Sequence, residues 1–323
     1  MNKTQKILLG VLIVQILLVA LVFWPKPKAA ENREFVFGEK TAEEVTQFSV
    51  ADSNGNEVTV LKDGEDWALS DPEGYPVEST KVDTMLSSLF KVQYGRFVAE
   101  NKSSHDRLEV GEEKFNRRII LTFDSGESQT IYVGSTPTTA STNFRMEGDD
   151  NVYLSDQLNS YSYGSTPVSW INTALVRVTA DTVNAMQLTN ANGTYSFSKA
   201  EDGTWTIDGL QEGEEANAQA ITTLLNRATG LTITEPLGKT KESEYGLSTP
   251  SASIVLSVTD SEGNPQQLKL VFGTVDALTS QVVVESSAWE YYVQVNGLGI
   301  TEILESSAAD FITVPEVEAT PES

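Results

Sequence analysis

The chain has 323 residues, room for about two ordinary domains beyond its N-terminal segment, and a net charge of -24. Residues 34–323 carry 45 acids against 17 bases, a net of -28, so this part is repelled by nucleic acid and by anionic lipid, and its acidity reads as a solvated surface. The absence of cysteine excludes disulfides, thiolate metal sites, cysteine nucleophiles and a lipid-modified cysteine.

After a short tail at 1–6, residues 7–24 (Ile7 to Trp24) are apolar except for Gly10 and Gln15. At about 1.5 Å per residue the run reaches roughly 27 Å, enough with its flanks to cross a bilayer core, and it exceeds the apolar run of a cleavable signal. Lys28 stands where a cleavage site needs a small side chain, so an uncleaved membrane anchor is expected. Pro25 and Pro27 end the helix and open a linker over 25–40. Lys3 and Lys6 are balanced by Lys26, Lys28 and Arg33, so flanking charge leaves orientation open. The short leading tail favours an extracytoplasmic bulk.

Beyond the linker the chain repeats itself. Thr41-Ala42 matches Thr179-Ala180, Asn54-Gly55 matches Asn192-Gly193, and Trp67 matches Trp205, all at a separation of 138. Later matches drift to separations of 136 and 139, which divides the chain into repeats at 41–178 and 179–313 and a Pro/Glu-rich tail, read as disordered, at 314–323.

Each repeat opens with a strand (Val45 to Val50; Val183 to Leu188) entering an Asn-Gly turn whose residues tolerate positive φ. A second strand, a glycine turn and a short tryptophan strand follow. Next comes a helix: Ser79 or Thr80 is the expected cap in the first copy, with Asp83 in the first turn and Val82, Met85, Leu86 and Leu89 as the apolar stripe. In the second copy Asn217 caps, and Ile221, Leu224 and Leu225 form the stripe. The remaining strands come in pairs: Arg118 to Phe123 with Gln129 to Val133, and Ser253 to Val258 with Gln267 to Phe272. Last are Asn143 to Met146 with Val152 to Leu154, and Gln281 to Val284 with Tyr291 to Val295. A mainly antiparallel sheet with one packed helix makes each module α+β.

This succession resembles the bacterial domain-of-unknown-function family 4340. The features that carry it are the N-terminal span, the glycine turn before the tryptophan strand, the helix Ser79-Thr80-Lys81-Val82-Asp83-Thr84-Met85-Leu86-Ser87-Ser88-Leu89, Val152-Tyr153-Leu154, and Glu244-Tyr245-Gly246-Leu247 with Pro250. The first copy departs from the Tyr-Gly-Leu pattern with Asp106-Arg107-Leu108. The resemblance implies a membrane-tethered envelope protein, often linked to gliding-type ABC transport systems, with no established catalytic residues.

Motifs for chemistry are sparse. His105, the only histidine, lies in the polar loop Lys102 to Arg107 and reads as solvated. Ser88-Leu89-Phe90-Lys91 has the S-x-x-K form without its S-D-N or K-T-G companions. Asp52 to Asp63 begins like a calcium loop, but Glu57 stands where glycine is required. Asp149-Asp150 reads as a surface turn rather than an acid pair across a cleft. Trp67 and Trp205 read as core anchors before sugar platforms, and Tyr161, Tyr163, Tyr291 and Tyr292 as candidates for a partner surface.

No catalytic, cofactor or metal residue is assigned. The expected function is a non-enzymatic binding or scaffold protein at the cell membrane, with the membrane and a protein complex as partners, ABC transporter subunits being those the resemblance implies, and no nucleic acid. Alternatives are a module binding cell-envelope glycan and, last, an envelope hydrolase.

Overall fold

The computed structural model describes Gln15 and residues 34–314 apart from 139, 140 and 261. The expected anchor at 7–24, Gln15 excepted, the tail at 1–6, the linker residues 25–33 and residues 315–323 lie outside the described residues. Among the described residues no helix is long and apolar enough to cross a membrane.

The first sheet contains β1 (Val45–Asp52), β2 (Glu57–Asp63), β3 (Asp66–Leu69), β4 (Arg96–Ala99), β5 (Arg117–Phe123), β6 (Ser128–Val133), β7 (Thr142–Met146) and β8 (Val152–Ser155). Their spatial order is β3-β2-β1-β5-β6-β7-β8-β4, and every pairing is antiparallel. Between β3 and β4, which lie at opposite edges, runs helix α1 (Ser79–Leu89). It buries Val82, Met85, Leu86 and Leu89, the i, i+3, i+4, i+7 stripe of its sequence, in the same core as Phe48, Val50 and Trp67.

The second sheet repeats this order. Its strands are β9 (Val183–Asn190), β10 (Gly193–Lys199), β11 (Trp205–Ile207), β13 (Ile233–Pro236), β14 (Ala252–Thr259), β15 (Pro265–Phe272), β16 (Gln281–Ser286) and β17 (Val293–Asn296), arranged β11-β10-β9-β14-β15-β16-β17-β13. Strict alternation in β14 buries Ala252, Ile254, Leu256 and Val258 on one face. Helix α2 (Ala218–Thr229) runs between the edge strands β11 and β13. A two-stranded ladder pairs β12 (Glu215–Ala216) with β18 (Ile312–Thr313), and two short helices, α3 (Thr301–Glu305) and α4 (Ala308–Phe311), precede β18.

The repeat starts earlier than its sequence matches suggest. Phe35 bridges Gln93 while Val36 N–H donates to Val92 O (2.9 Å) and Tyr94 N–H to Glu34 O (3.0 Å). In the second copy Ala174 bridges Thr232, Leu175 N–H donates to Leu231 O (3.1 Å) and Ile233 N–H to Thr173 O (2.8 Å). Residues 34–40, read as the end of a linker, thus join the first core, with Val36 and Phe37 buried, and 173–178 belong structurally with the second copy. A single bridge is too short to show strand periodicity, and the aligned residues, Val36 with Leu175 and Phe37 with Val176, differ in type.

Local chemistry departs from expectation at two further points. Neither Ser79 nor Thr80 caps α1: Glu78 holds the N-cap position without a side-chain cap, and Asp83 lies beyond the first turn. The entry is fixed by a tertiary contact instead, Glu78 N–H donating to Trp170 O at 2.8 Å. Asn217 does cap α2, its Oδ1 accepting the Ala220 N–H at 3.2 Å, and its own N–H donates to Phe311 O at 2.8 Å. In both Asn-Gly turns only the glycine takes a positive φ, Gly55 at 86° and Gly193 at 148°. Neither turn therefore has the two left-handed residues of a type I′ hairpin.

Trp170 and Phe311 hold corresponding places. Each closes its module by offering its carbonyl to a helix N-cap residue and its ring, edge-on, to a sheet phenylalanine: Phe48 at 4.9 Å from Trp170 and Phe197 at 4.9 Å from Phe311. Trp170→Ala or Phe311→Ala is expected to cost about 3–5 kcal/mol through the cavity it leaves. Urea denaturation of each variant checks this, and an unchanged midpoint would refute the closing role.

Candidate functional site

The residues singled out for chemistry do not converge. Ser88 Oγ donates to Met85 O (2.8 Å) and stands 3.5 Å from Tyr163 OH; Lys91 is exposed and makes no hydrogen bond with it. Trp67 and Trp205 are both buried in the core.

His105 is buried, only 6 % exposed, with Nε2 2.9 Å from Asp150 O, which corrects its reading as a solvated loop residue. The 3-10 turn Lys102–Ser104 folds the loop back beside a second small core of Ala51, Leu108, Val110, Phe115, Tyr132 and Val152. Arg145, which its strand pattern gave no reason to notice, is also buried. Its Nε donates to Val110 O (2.8 Å), its Nη1 to Met146 O and Asp149 O, and its guanidinium lies 4.4 Å from the Tyr132 ring centroid. These contacts tie the loop before β5 to the β7–β8 hairpin.

The calcium-like turn is a hydrogen-bonded anchor. Asp52 Oδ1 accepts the N–H groups of Asn54 (2.8 Å) and Asn56 (3.1 Å), and Oδ2 accepts Asn56 Nδ2 (2.9 Å) and Ser165 Oγ (2.7 Å). Burial pushes the Asp52 pKa up, but these four donors outweigh it and hold the carboxyl at about 2. Asn190 is the counterpart: its Oδ1 accepts Asn192 N–H and its Nδ2 donates to Ile303 O and Ser306 O. Both residues pin the first hairpin of their module to its closing segment.

The tyrosines divide. Tyr161 is exposed, whereas Tyr163 and Tyr291 are buried and unavailable to a partner, a correction to their reading as surface. Tyr291 instead joins the two modules: its hydroxyl donates to Gly74 O, and its ring lies 4.7 Å from that of Tyr75. Burial pushes the Tyr75 hydroxyl up to about 12, so it stays protonated across the physiological range.

Beside this contact lies a groove in two parts. A cavity of about 390 Å³ is lined by Val258, Gln266, Gln267 and Ser287 among others, and one of about 320 Å³ by Tyr75, Glu78 and Asn172. Arg177 and Trp289 line both, with the guanidinium 4.1 Å from the indole centroid. Glu78 pairs with Lys81 (3.3 Å) and Ser287 Oγ accepts the Lys269 N–H (2.9 Å). The groove therefore offers a stacked cation and side-chain amides, which suit binding, and sets no nucleophile against a base.

A second exposed feature is the loop pair after β15 and β17. Asp276 Oδ1 accepts the N–H groups of Leu278 and Thr279, both at 2.8 Å, and these bonds hold its pKa below the ordinary carboxylate value. The turn so fixed presents Val275 and Leu278, the latter 96 % exposed, and the next loop presents Leu298. Sequence reasoning passed over these residues because isolated apolar residues in loops show no periodicity.

A protein-family model described as a domain of unknown function (DUF4340) matches residues 67–250. No curated protein and no solved structure matches the chain.

Because the Asp52 pKa lies below its unfolded value near 3.9, its stabilisation is present in full above about pH 4 and is lost as pH falls through 2. This is the linkage expected of a carboxyl whose pKa is depressed in the folded state. Asp52→Asn, the residue type of the second repeat, should flatten the stability profile between pH 4 and 2. Urea melts across that range check it, and an unchanged slope counts against the assignment.

Proposed function

The chain belongs to the DUF4340 family, whose match runs from the first tryptophan strand into the second repeat, and on that footing we propose a membrane-anchored, extracytoplasmic, non-enzymatic scaffold. Its tandem α+β modules hold a protein partner, and an accessory role in an ABC-type transport system is the family context that suits it. The apolar run at 7–24 supports the anchor, since its length fits a bilayer core.

The observation that carries the partner role is the exposed apolar set Val275, Leu278 and Leu298, with the Leu278 turn held by Asp276 and the Leu298 turn by Asn296. Leu278 and Leu298, left largely exposed on these turns, suit a protein interface. The groove at Arg177 and Trp289 favours a second reading, binding of an envelope glycan. An aromatic ring, a cation and the amides of Gln266, Gln267 and Asn172 suit a sugar bearing a carboxylate.

A photocrosslinking side chain at position 278 in the full chain, used in intact cells, tests the first reading. Adducts with specific membrane-complex proteins are expected. Recovery of glycan alone, weakened at least tenfold by Arg177→Ala, would replace the scaffold reading with the second.

A further inference from the structure

The internal repeat sets one reactive dipeptide in two environments. Asn-Gly occurs at 54–55, 192–193 and 296–297, and the first two lie at the equivalent hairpins of the two modules. An asparagine followed by glycine loses its side-chain amide when the glycine nitrogen reaches the side-chain carbonyl carbon, an approach that glycine, lacking Cβ, leaves unhindered. In a folded chain the outcome turns on how firmly the carboxamide, the intervening peptide and the glycine nitrogen are held.

Two of the three copies are restrained. Asn192 Nδ2 donates to Glu305 O (2.6 Å), and the Asn192 carbonyl accepts the Tyr195 hydroxyl (2.8 Å), which fixes the peptide that would have to turn. The same hydroxyl would stand 2.9 Å from a Cβ at Gly193. Asn296 Oδ1 accepts the Leu298 N–H (2.9 Å), and Gly297 is buried with its own N–H donated to Ser280 O at 2.8 Å. At Asn54 these restraints are missing. Its N–H donates to Asp52 Oδ1, but among the described residues its carboxamide makes no hydrogen bond, and both Asn54 and Gly55 are exposed. A Cβ at Gly55 would meet nothing within 4 Å, and the Gly55 N–H reaches Asp52 O only at 3.3 Å, longer than an ordinary N–H···O bond.

We propose that Asn54 is a site of spontaneous deamidation and that its isoaspartate product loosens the Asp52 anchor of the first module. The Gly55 nitrogen gives up its proton and bonds to Asn54 Cγ, the Cγ–Nδ2 bond breaks, and Nδ2 leaves with that proton as ammonia. Water then opens the cyclic imide. Attack at Cγ gives aspartate, and attack at the backbone carbonyl carbon gives isoaspartate, through which the chain runs by way of the side-chain carboxyl carbon. The extra backbone carbon falls between Asp52 and Asn56, whose N–H and Nδ2 supply two of the four donors to the Asp52 carboxylate. A new carboxylate also arises beside Asp52. Both changes weaken the turn that pins the first hairpin to Ser165 in the closing segment. The inference stands on the turn alone and does not depend on what the modules bind.

The full chain, in detergent and mildly alkaline buffer, is incubated folded and in urea, then digested and mapped by mass spectrometry, with isoaspartate read by enzymatic methyl transfer. In the folded chain position 54 should convert at least about fivefold faster than 192 or 296, the suppression that one hydrogen bond on a carboxamide supplies. In urea the three rates should draw together. Equal rates at 54 and 192 in the folded chain overturn the proposal, and so does a preference for 54 that persists in urea, which would assign it to neighbouring residue types instead of the fold. The consequence is read on the incubated folded chain, whose urea midpoint should fall as conversion at 54 proceeds, while Asn54→Gln, incubated alike, keeps its midpoint. Conversion at 54 with an unmoved midpoint overturns the loosening of the Asp52 anchor.

Discussion

Two backbone hydrogen bonds, Glu78 N–H to Trp170 O and Asn217 N–H to Phe311 O, close the two modules, one in each. Each joins the start of a helix that crosses between opposite sheet edges to an aromatic residue at the far end of the same repeat. The bond fixes where the helix begins and brings the ring edge-on to a phenylalanine of the sheet. An eight-stranded sheet whose third and fourth strands lie at opposite edges needs such a crossing element, because no hairpin spans that distance.

A second device reinforces the first. Asp52 and Asn190 end the first strand of each sheet, are buried, and satisfy the turn that follows while reaching the closing segment. One is a carboxylate receiving four donors and the other an amide that both accepts and donates. The same geometric task is met by an anion where the closing segment offers a hydroxyl, and by an amide where it offers carbonyls. The connection between modules is of another kind. It rests on Tyr291 against Gly74 and Tyr75, and it leaves the groove of Arg177 and Trp289 at its flank.

Legibility followed the range of the interaction. The helical stripes, the paired strands and the cap at Asn217 were readable because neighbours within a few residues determine them. His105 was misread since its loop is polar throughout, and only the return of the chain at Asp150 supplies the partner that buries it. Glu78 displaced Ser79 and Thr80 from the cap because Trp170, 92 residues away in sequence, satisfies the backbone there. Tyr163 and Tyr291 resembled Tyr161 by type alone, and depth in the fold separates them. The apolar patch around Leu278 and the groove at Arg177 had no periodic signal, being assembled from loops and from both repeats.

Composition and self-similarity by themselves determined the acidic surface, the apolar run at 7–24, the repetition of one pattern of strands and a helix, and the absence of cysteine chemistry. These follow from residue type and local spacing. Tertiary structure alone decided that the repeat takes in residues 34–40 and 173–178, that Arg145 and His105 are buried, and that two cavities meet at Arg177 and Trp289. Each of those depends on which distant segments come together, and that is set by packing of whole elements rather than by the residues adjacent in the chain.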